Sequence, residues 1–166
     1  DGGAGNDLFR HDADANYALV LGGDGFDVLV SDLRDTGGLT YDMRSGVVTN
    51  ASGVQVLQLS SIESIVGTGG ADKFIGSNGQ DIFNGGAGAD LFVFHTGSAP
   101  SPVTPAQLDT IRSFQLGDKI SLGVAGTAAV YEEQTGLVYA DAYAAANVLI
   151  GQNWRDIVAV HVGSDV

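Results

Sequence analysis

Cysteine is absent from this 166-residue chain, so it has neither disulfides nor a thiol nucleophile. Proline occurs only at Pro100, Pro102 and Pro105, which predict a loop over 95–107. Basic side chains are scarce, seven against twenty acidic ones, for a net charge of −13. That balance argues against nucleic acid and anionic membrane surfaces as partners. A disordered acidic tail is disfavoured too, because 44% of the residues are hydrophobic and the acids recur in register. No stretch of eighteen apolar residues exists, so no membrane insertion is expected. The histidines His11, His95 and His161 lie far apart, and there is no HExxH, no GxSxG and no lysine-bearing phosphate loop. These absences leave no expected enzyme active site.

Glycine and aspartate are abundant, and they are periodic. Residues 67–93 read GTGGADKFI, GSNGQDIFN, GGAGADLFV, three contiguous nine-residue units. Aspartate holds the sixth place (Asp72, Asp81, Asp90) and phenylalanine the eighth (Phe74, Phe83, Phe92). Two further copies lie upstream, GGAGNDLFR at Gly2–Arg10 and GGDGFDVLV at Gly22–Val30, with Asp7 and Asp27 in the sixth place. Glycine permits positive φ, so the first six residues of a unit can turn tightly, at roughly 0.5–1 kcal/mol of extra chain entropy each. The last three residues suit a short strand whose central Phe or Leu points inward. Two units make one coil, so turns on one side stack about every eighteen residues at the strand spacing of roughly 4.8 Å. Aspartates eighteen apart then face one another and repel unless a cation lies between them. Turn carbonyls plus paired carboxylates form an all-oxygen cage that suits Ca²⁺ far better than Zn²⁺.

These units resemble the calcium-binding RTX (hemolysin-type) repeat of bacterial type I-secreted proteins. The resemblance implies an all-β fold, a right-handed parallel β-roll, with several Ca²⁺ ions held between successive turns on one side. It also implies ligand sets: carbonyls from places two and four plus the aspartate of one turn, then carbonyls from places one and three plus the aspartate of the next. One ion would sit among Thr68, Gly70, Asp72, Gly85, Ala87 and Asp90, and another among Gly3, Gly5, Asp7, Gly22, Asp24 and Asp27. In the latter set the aspartates are twenty apart, so the coil between them must absorb two extra residues. Counting eighteen back from Asp81 reaches Glu63, giving a third set of Glu63, Gly76, Asn78 and Asp81.

Between the first two copies, Asp12, Asp14 and Asn16 have the opening spacing of an EF-hand loop. Tyr17 and Gly23 stand where that loop needs glycine and glutamate, so an ordinary polar turn is expected, with a further ion site at Asp12 and Asp14 as the alternative. Ser31–Leu57 lacks the glycine–aspartate signature yet keeps short β-type runs. Gly22 and Gly67 are forty-five residues apart, five units of nine, so the roll is expected to continue through divergent repeats at 31–66; a β-hairpin excursion is the alternative. After the proline loop, LDTIRSFQLGDKISL resembles the closing segment of RTX rolls. By that resemblance Asp109 joins Ser77, Gly79 and Asp81 at a last ion, while Asp118 reads as a turn residue. The expected division is a roll over 1–94, the loop, and a closing strand with a β-rich cap over 108–166.

Within that cap a short helix is expected over 140–150, where alanine dominates. Places seven and nine of the repeats should point outward, yet they hold Leu8, Val28, Val30, Ile75, Ile82, Leu91 and Val93. Residues 122–162 are the expected cover for that apolar stripe. The array is already under way at Asp1, which reads as a piece cut from a larger polypeptide.

The resemblance implies a module that stays unfolded for passage through a type I secretion apparatus and folds on Ca²⁺ outside the bacterium, secreted or at its cell surface. Its other partner would be the rest of the parent polypeptide. Two further readings stay open: the non-catalytic end of a secreted hydrolase or alginate-modifying enzyme, and a polysaccharide-binding part of an adhesin or surface-layer protein.

Overall fold

The computed structural model of the protein describes residues 1–12, 17–94, 109–121, 131–137 and 157–162, the last two ranges as backbone alone. Every regular element among them is a strand, so the described chain is all-β. It divides into two compact units, Asp1–His95 with Ala106–Leu122, and Thr96–Pro105 with Gly123–Val166. In the second unit, β15 (Tyr131–Leu137) pairs in parallel with β16 (Ile157–Val162), with a register shift between Gln134 and Leu137. The proline loop and the expected helix over 140–150 lie outside the described residues, as does most of the expected 122–162 cover.

The first unit holds two larger sheets. One is wholly parallel, in the order β13 (Thr110–Arg112), β11 (Ile82–Asn84), β9 (Ser64–Val66), β5 (Val28–Ser31), β2 (Leu8–His11). The other runs β14 (Lys119–Ser121), β12 (Leu91–Val93), β10 (Lys73–Ile75), β6 (Leu39–Asp42), β7 (Val47–Asn50), β8 (Gln55–Ser60), β3 (Ala18–Leu21). Successive strands of the repeat array go to opposite sheets, so same-sheet neighbours stand eighteen residues apart, Phe74 beside Phe92 and Ile65 beside Phe83. Strands β1 (Gly3–Ala4) and β4 (Gly23–Asp24) pair the first two glycine turns.

The segment expected to continue the coil does something else. β6, β7 and β8 form an antiparallel meander inside the seven-stranded sheet, and β8 then pairs in parallel with β3. The excursion has replaced the divergent repeats. Its turns explain why: single glycines with positive φ, Gly46 (φ 68°) and Gly53 (φ 78°), close hairpins where the repeats use clustered glycines. Asn50 reinforces the second turn, its side chain accepting the Ser52 and Val54 N–H groups, both at 3.0 Å. While the meander is built, the five-stranded sheet advances a single strand, with Leu29 beside Ile65.

The eighth places do point inward. Leu29, Phe74, Phe83 and Phe92 are fully buried, with Ile65 in the same position, while Phe9 at the first coil is half-buried. Phe74 stacks between Tyr41 and Phe92, with ring centroids 5.0 and 5.1 Å away. Tyr41 keeps its polar end satisfied by donating to Ser31 Oγ at 2.7 Å. The outward places behave unevenly: Leu8 is exposed as expected, whereas Ile75 and Ile82 are buried.

Phe74→Ala should therefore destabilise the folded, calcium-loaded domain by about 3–5 kcal/mol, as deletion of a fully buried aromatic does. Phe9→Ala should cost clearly less. Urea unfolding of both variants at saturating calcium measures this, and equal losses would contradict the assignment of Phe74 to the centre of the core.

Candidate metal centre

Two of the glycine turns are closed by their own aspartate. Asp72 Oδ2 accepts the Thr68 N–H at 2.6 Å, and Asp81 Oδ2 accepts the Ser77 N–H at 2.7 Å. The Thr68 and Ser77 hydroxyls add bonds to the same carboxylates. The other oxygen reaches a neighbouring layer. Asp90 Oδ1 accepts the Asp72 N–H, Asp118 Oδ1 the Asp90 N–H and Asp109 Oδ1 the Asp81 N–H, each at 2.9 Å. At the first turns, Asp27 Oδ1 accepts the Asp7 N–H and Glu63 Oε2 the Asp27 N–H, each at 2.8 Å. The carboxylates thus form two ladders, one along each edge of the stacked coils.

The ladders are buried at their central rungs and open at Asp109, where the carboxylate is exposed. Asp27, Asp72, Asp81 and Asp90 are at most 2% exposed, and no Lys or Arg is paired with them among the described residues. Burial pushes the carboxyls of Asp72 and Asp81 up to about 6, against hydrogen bonds that pull them down, and the charges of Asp90 and Asp109 push further. Asp90 and Asp109 are raised by the same loss of water. Two carboxylates one strand spacing apart repel by on the order of 3 kcal/mol at an effective dielectric of about 20. Asp7 Oδ2 and Asp27 Oδ2 are buried with no hydrogen-bond partner at all, an arrangement that is costly unless a charge of opposite sign completes it.

The surrounding backbone fits such a charge. A Cβ on Gly2 or Gly67 would run into the aspartate Oδ2 of its own turn and the carbonyl of Gly22 or Gly85 in the next. At Gly86 and Gly88, both with positive φ, a Cβ would strike the carbonyls of Thr68 and Gly70, and at Gly23 and Gly25 those of Gly3 and Gly5. Only glycine leaves room for so many oxygens between stacked turns. Among the described residues no three His, Cys, Asp or Glu side chains converge, so backbone oxygens must supply most of any shell. Carboxylate and carbonyl oxygens are the donors of a hard cation such as Ca²⁺.

Two of the sets expected from the sequence are brought together as stacked turns: Thr68, Gly70 and Asp72 against Gly85, Ala87 and Asp90, and Gly3, Gly5 and Asp7 against Gly22, Asp24 and Asp27. Ser77, Gly79 and Asp81 also gather, with Asp109 bound to the Asp81 backbone. The remaining set does not close on one point. Glu63 precedes β9 opposite Asp81, and its carbonyl accepts the Ile82 N–H at 2.9 Å, but its carboxylate is turned the other way, onto Asp27. Asn78 is exposed, and a cleft of about 550 Å³ lined by Met43–Gly46, Leu59–Glu63, Ser77 and Gly79–Asp81 lies on that side. Asp118, read as a turn residue, holds a rung of the second ladder. Its signal was present in the numbers: Asp90 to Asp118 and Asp81 to Asp109 are both twenty-eight residues, eighteen plus one shared insertion.

The raised carboxyls predict a pH response of the metal-free form. The folded state holds protons on Asp72 and Asp81 up to about pH 6, whereas the unfolded chain releases them near 3.8. Their contribution to stability is therefore present at low pH and lost as pH rises through 6. In chelator, sheet content by circular dichroism should be higher at pH 5 than at pH 7.5, and the reverse order would contradict the burial of these groups.

Residues 60–92 match a family model described as the RTX calcium-binding nonapeptide repeat (4 copies). The copies at Gly2–Arg10 and Gly22–Val30 lie outside that match. No curated protein matches the chain. RTX repeats bind Ca²⁺ and occur in bacterial proteins secreted by the type I route. The stacked, buried carboxylates and the family match agree: this chain carries a calcium-binding repeat domain of the RTX type.

Proposed function

We propose that the chain is a non-catalytic module that folds on binding Ca²⁺ outside the cell. In this reading it supports type I secretion and then stabilises or anchors a larger extracellular protein. The observation that carries it is the pair of buried carboxylate ladders without basic partners. Bound Ca²⁺ supplies the positive charge that the stacked turns lack. The turns do the rest: glycines hold positive φ, carbonyls face the gap, and the aspartates tie one layer to the next. We assign the ions to the sets around Asp72 and Asp90, Asp7 and Asp27, and Asp81 and Asp109. Asp90 and Asp118 form a further pair of the same kind.

Linkage gives this a magnitude. A site formed only in the folded state contributes about 2.7 kcal/mol at a hundredfold excess of ligand over Kd. Several sites together match the roughly 5–15 kcal/mol net stability of a domain. Where calcium is scarce, as in the cytosol, glycine entropy and carboxylate repulsion keep the repeats unfolded and fit for export. Where it is plentiful they close into a parallel roll, right-handed in our assignment, since parallel crossover connections overwhelmingly take that hand. The transient partner is the type I secretion apparatus and the lasting one the parent polypeptide. Catalysis by the paired carboxylates of Asp72 and Asp90 or of Asp81 and Asp109 would compete with the metal, which supports a non-catalytic role. No helix long and apolar enough to cross a membrane is found among the described residues.

Calcium titration followed by circular dichroism, with magnesium in parallel, tests the reading. A sheet signal should appear at sub-millimolar calcium and not with magnesium, whose small octahedral shell suits a flexible carbonyl cage poorly. The same spectrum in chelator, or an equal response to magnesium, would overturn it.

A further inference from the structure

Of the asparagines in the chain, only Asn78 and Asn84 are followed by glycine. That pairing has a chemistry of its own. The side-chain amide carbon of asparagine lies within reach of the next residue's backbone nitrogen, and glycine alone puts no Cβ in the way of the attack. The nitrogen–carbon bond that forms expels the side-chain nitrogen as ammonia and leaves a five-membered imide. Water then opens the ring. Cleavage at the side-chain carbonyl gives aspartate, and cleavage at the main-chain carbonyl gives an isoaspartyl linkage, in which the backbone runs through the side chain. One water is taken up and one ammonia released, and nothing is oxidised.

The two candidates stand in opposite surroundings. Asn84 ends β11, paired on one side with Val66 of β9 and on the other with Arg112 of β13. Its carbonyl accepts the Gly67 N–H at 2.8 Å and its Oδ1 accepts the Gly86 N–H at 3.1 Å. Gly85 is buried, and a Cβ there would run into the Asp90 carboxylate. Neither the side chain nor the nitrogen is free to turn toward the other. Asn78 lies in the turn between β10 and β11, outside any strand, and both it and Gly79 are exposed. The Asn78 side chain makes no hydrogen bond among the described residues. A Cβ on Gly79 would meet only Ser77 Oγ, at 3.6 Å, so the approach to the nitrogen is open. A single hydrogen bond from the Gly79 N–H to Ser77 Oγ, at 3.0 Å, tethers that nitrogen.

We propose that Asn78 is a site of spontaneous deamidation in the folded domain, converting to aspartate and isoaspartate while Asn84 keeps its amide. Sequence alone ranks the two equally; the exposed turn and the doubly paired strand separate them. The damage falls on a defined place. Ser77, Gly79 and Asp81 belong to one turn, whose aspartate N–H is bound by Asp109. An isoaspartyl linkage adds a methylene to the main chain between Ser77 and Gly79, so their spacing against Asp81 is lost, and the hydrogen bond from Gly79 to Ser77 with it. The ion assigned to Asp81 and Asp109 should then be released. That consequence rests on the calcium reading above, whereas the reaction at Asn78 does not.

The test is incubation of the full chain at mildly alkaline pH, in saturating calcium and in chelator, followed by peptide mapping with mass spectrometry and isoaspartyl methyltransferase labelling. In calcium, Asn78 should be converted while Asn84 stays intact; in chelator both should react at similar rates. Asn84 reacting as fast as Asn78 in calcium, or Asn78 surviving there while both are lost in chelator, overturns the site. Failure of the calcium reading shows separately, as a circular dichroism spectrum that calcium leaves unchanged, and the ratio of the two conversions still decides the site. The consequence is read by equilibrium dialysis of the isolated isoaspartyl form beside Asn78→Asp, which carries the same charge on a normal backbone. One ion fewer in the isoaspartyl form alone is expected. Equal ion counts in the two forms overturn the loss of the ion.

Discussion

Like charges stacked at the strand spacing are the constraint on which this structure depends. A parallel coil must place equivalent residues one above another, and here the equivalent residue at each turn is a carboxylate, buried at Asp27, Asp72, Asp81 and Asp90. The hydrogen bonds from one aspartate N–H to the next carboxylate align the ladders, but they do not neutralise them. RTX repeats bind Ca²⁺, a cation of the sign that such a stack calls for. The phenylalanine stack inside and the oxygen-lined turns outside are then two halves of one coil: burial of Phe74, Phe83 and Phe92 holds the strands in register, and register delivers the carboxylates.

Register survives three interruptions of different length. Neighbouring carboxylates stand twenty residues apart at Asp7 and Asp27, thirty-six at Asp27 and Glu63, and twenty-eight at both Asp81–Asp109 and Asp90–Asp118. Each time, the extra residues leave the five-stranded sheet undisturbed. The thirty-six-residue step shows how: its surplus becomes two added strands of the opposite sheet. Loop closure grows only slowly more costly with length, so such excursions are tolerated as long as both ends return to adjacent layers.

Much of this was legible in the residues, because a nine-residue period forces both the inward Phe and the facing Asp pairs. What could not be read follows from breaks in that period. Forty-five residues between Gly22 and Gly67 divide evenly by nine, and the arithmetic suggested a continuing coil; the single glycines at Gly46 and Gly53 were the better signal, since they make hairpins. Counting eighteen pairs Glu63 with Asp81, while its side chain settles on Asp27, a neighbour that only the closed meander creates. Asp118 was hidden by the insertion after Phe94, although Asp118-Lys119-Ile120 echoes Asp72-Lys73-Phe74. Burial of Ile75 and Ile82 had no signal in the repeat itself.

Amide hydrogen exchange, compared residue by residue in calcium and in chelator at neutral pH, tests most directly whether the cation is what holds the stacked turns. The N–H groups of Asp72, Asp81 and Asp90, each bound to the next carboxylate in its ladder, should exchange slowly with calcium and near the unfolded rate without it. Equal protection of these amides in both conditions would contradict the account.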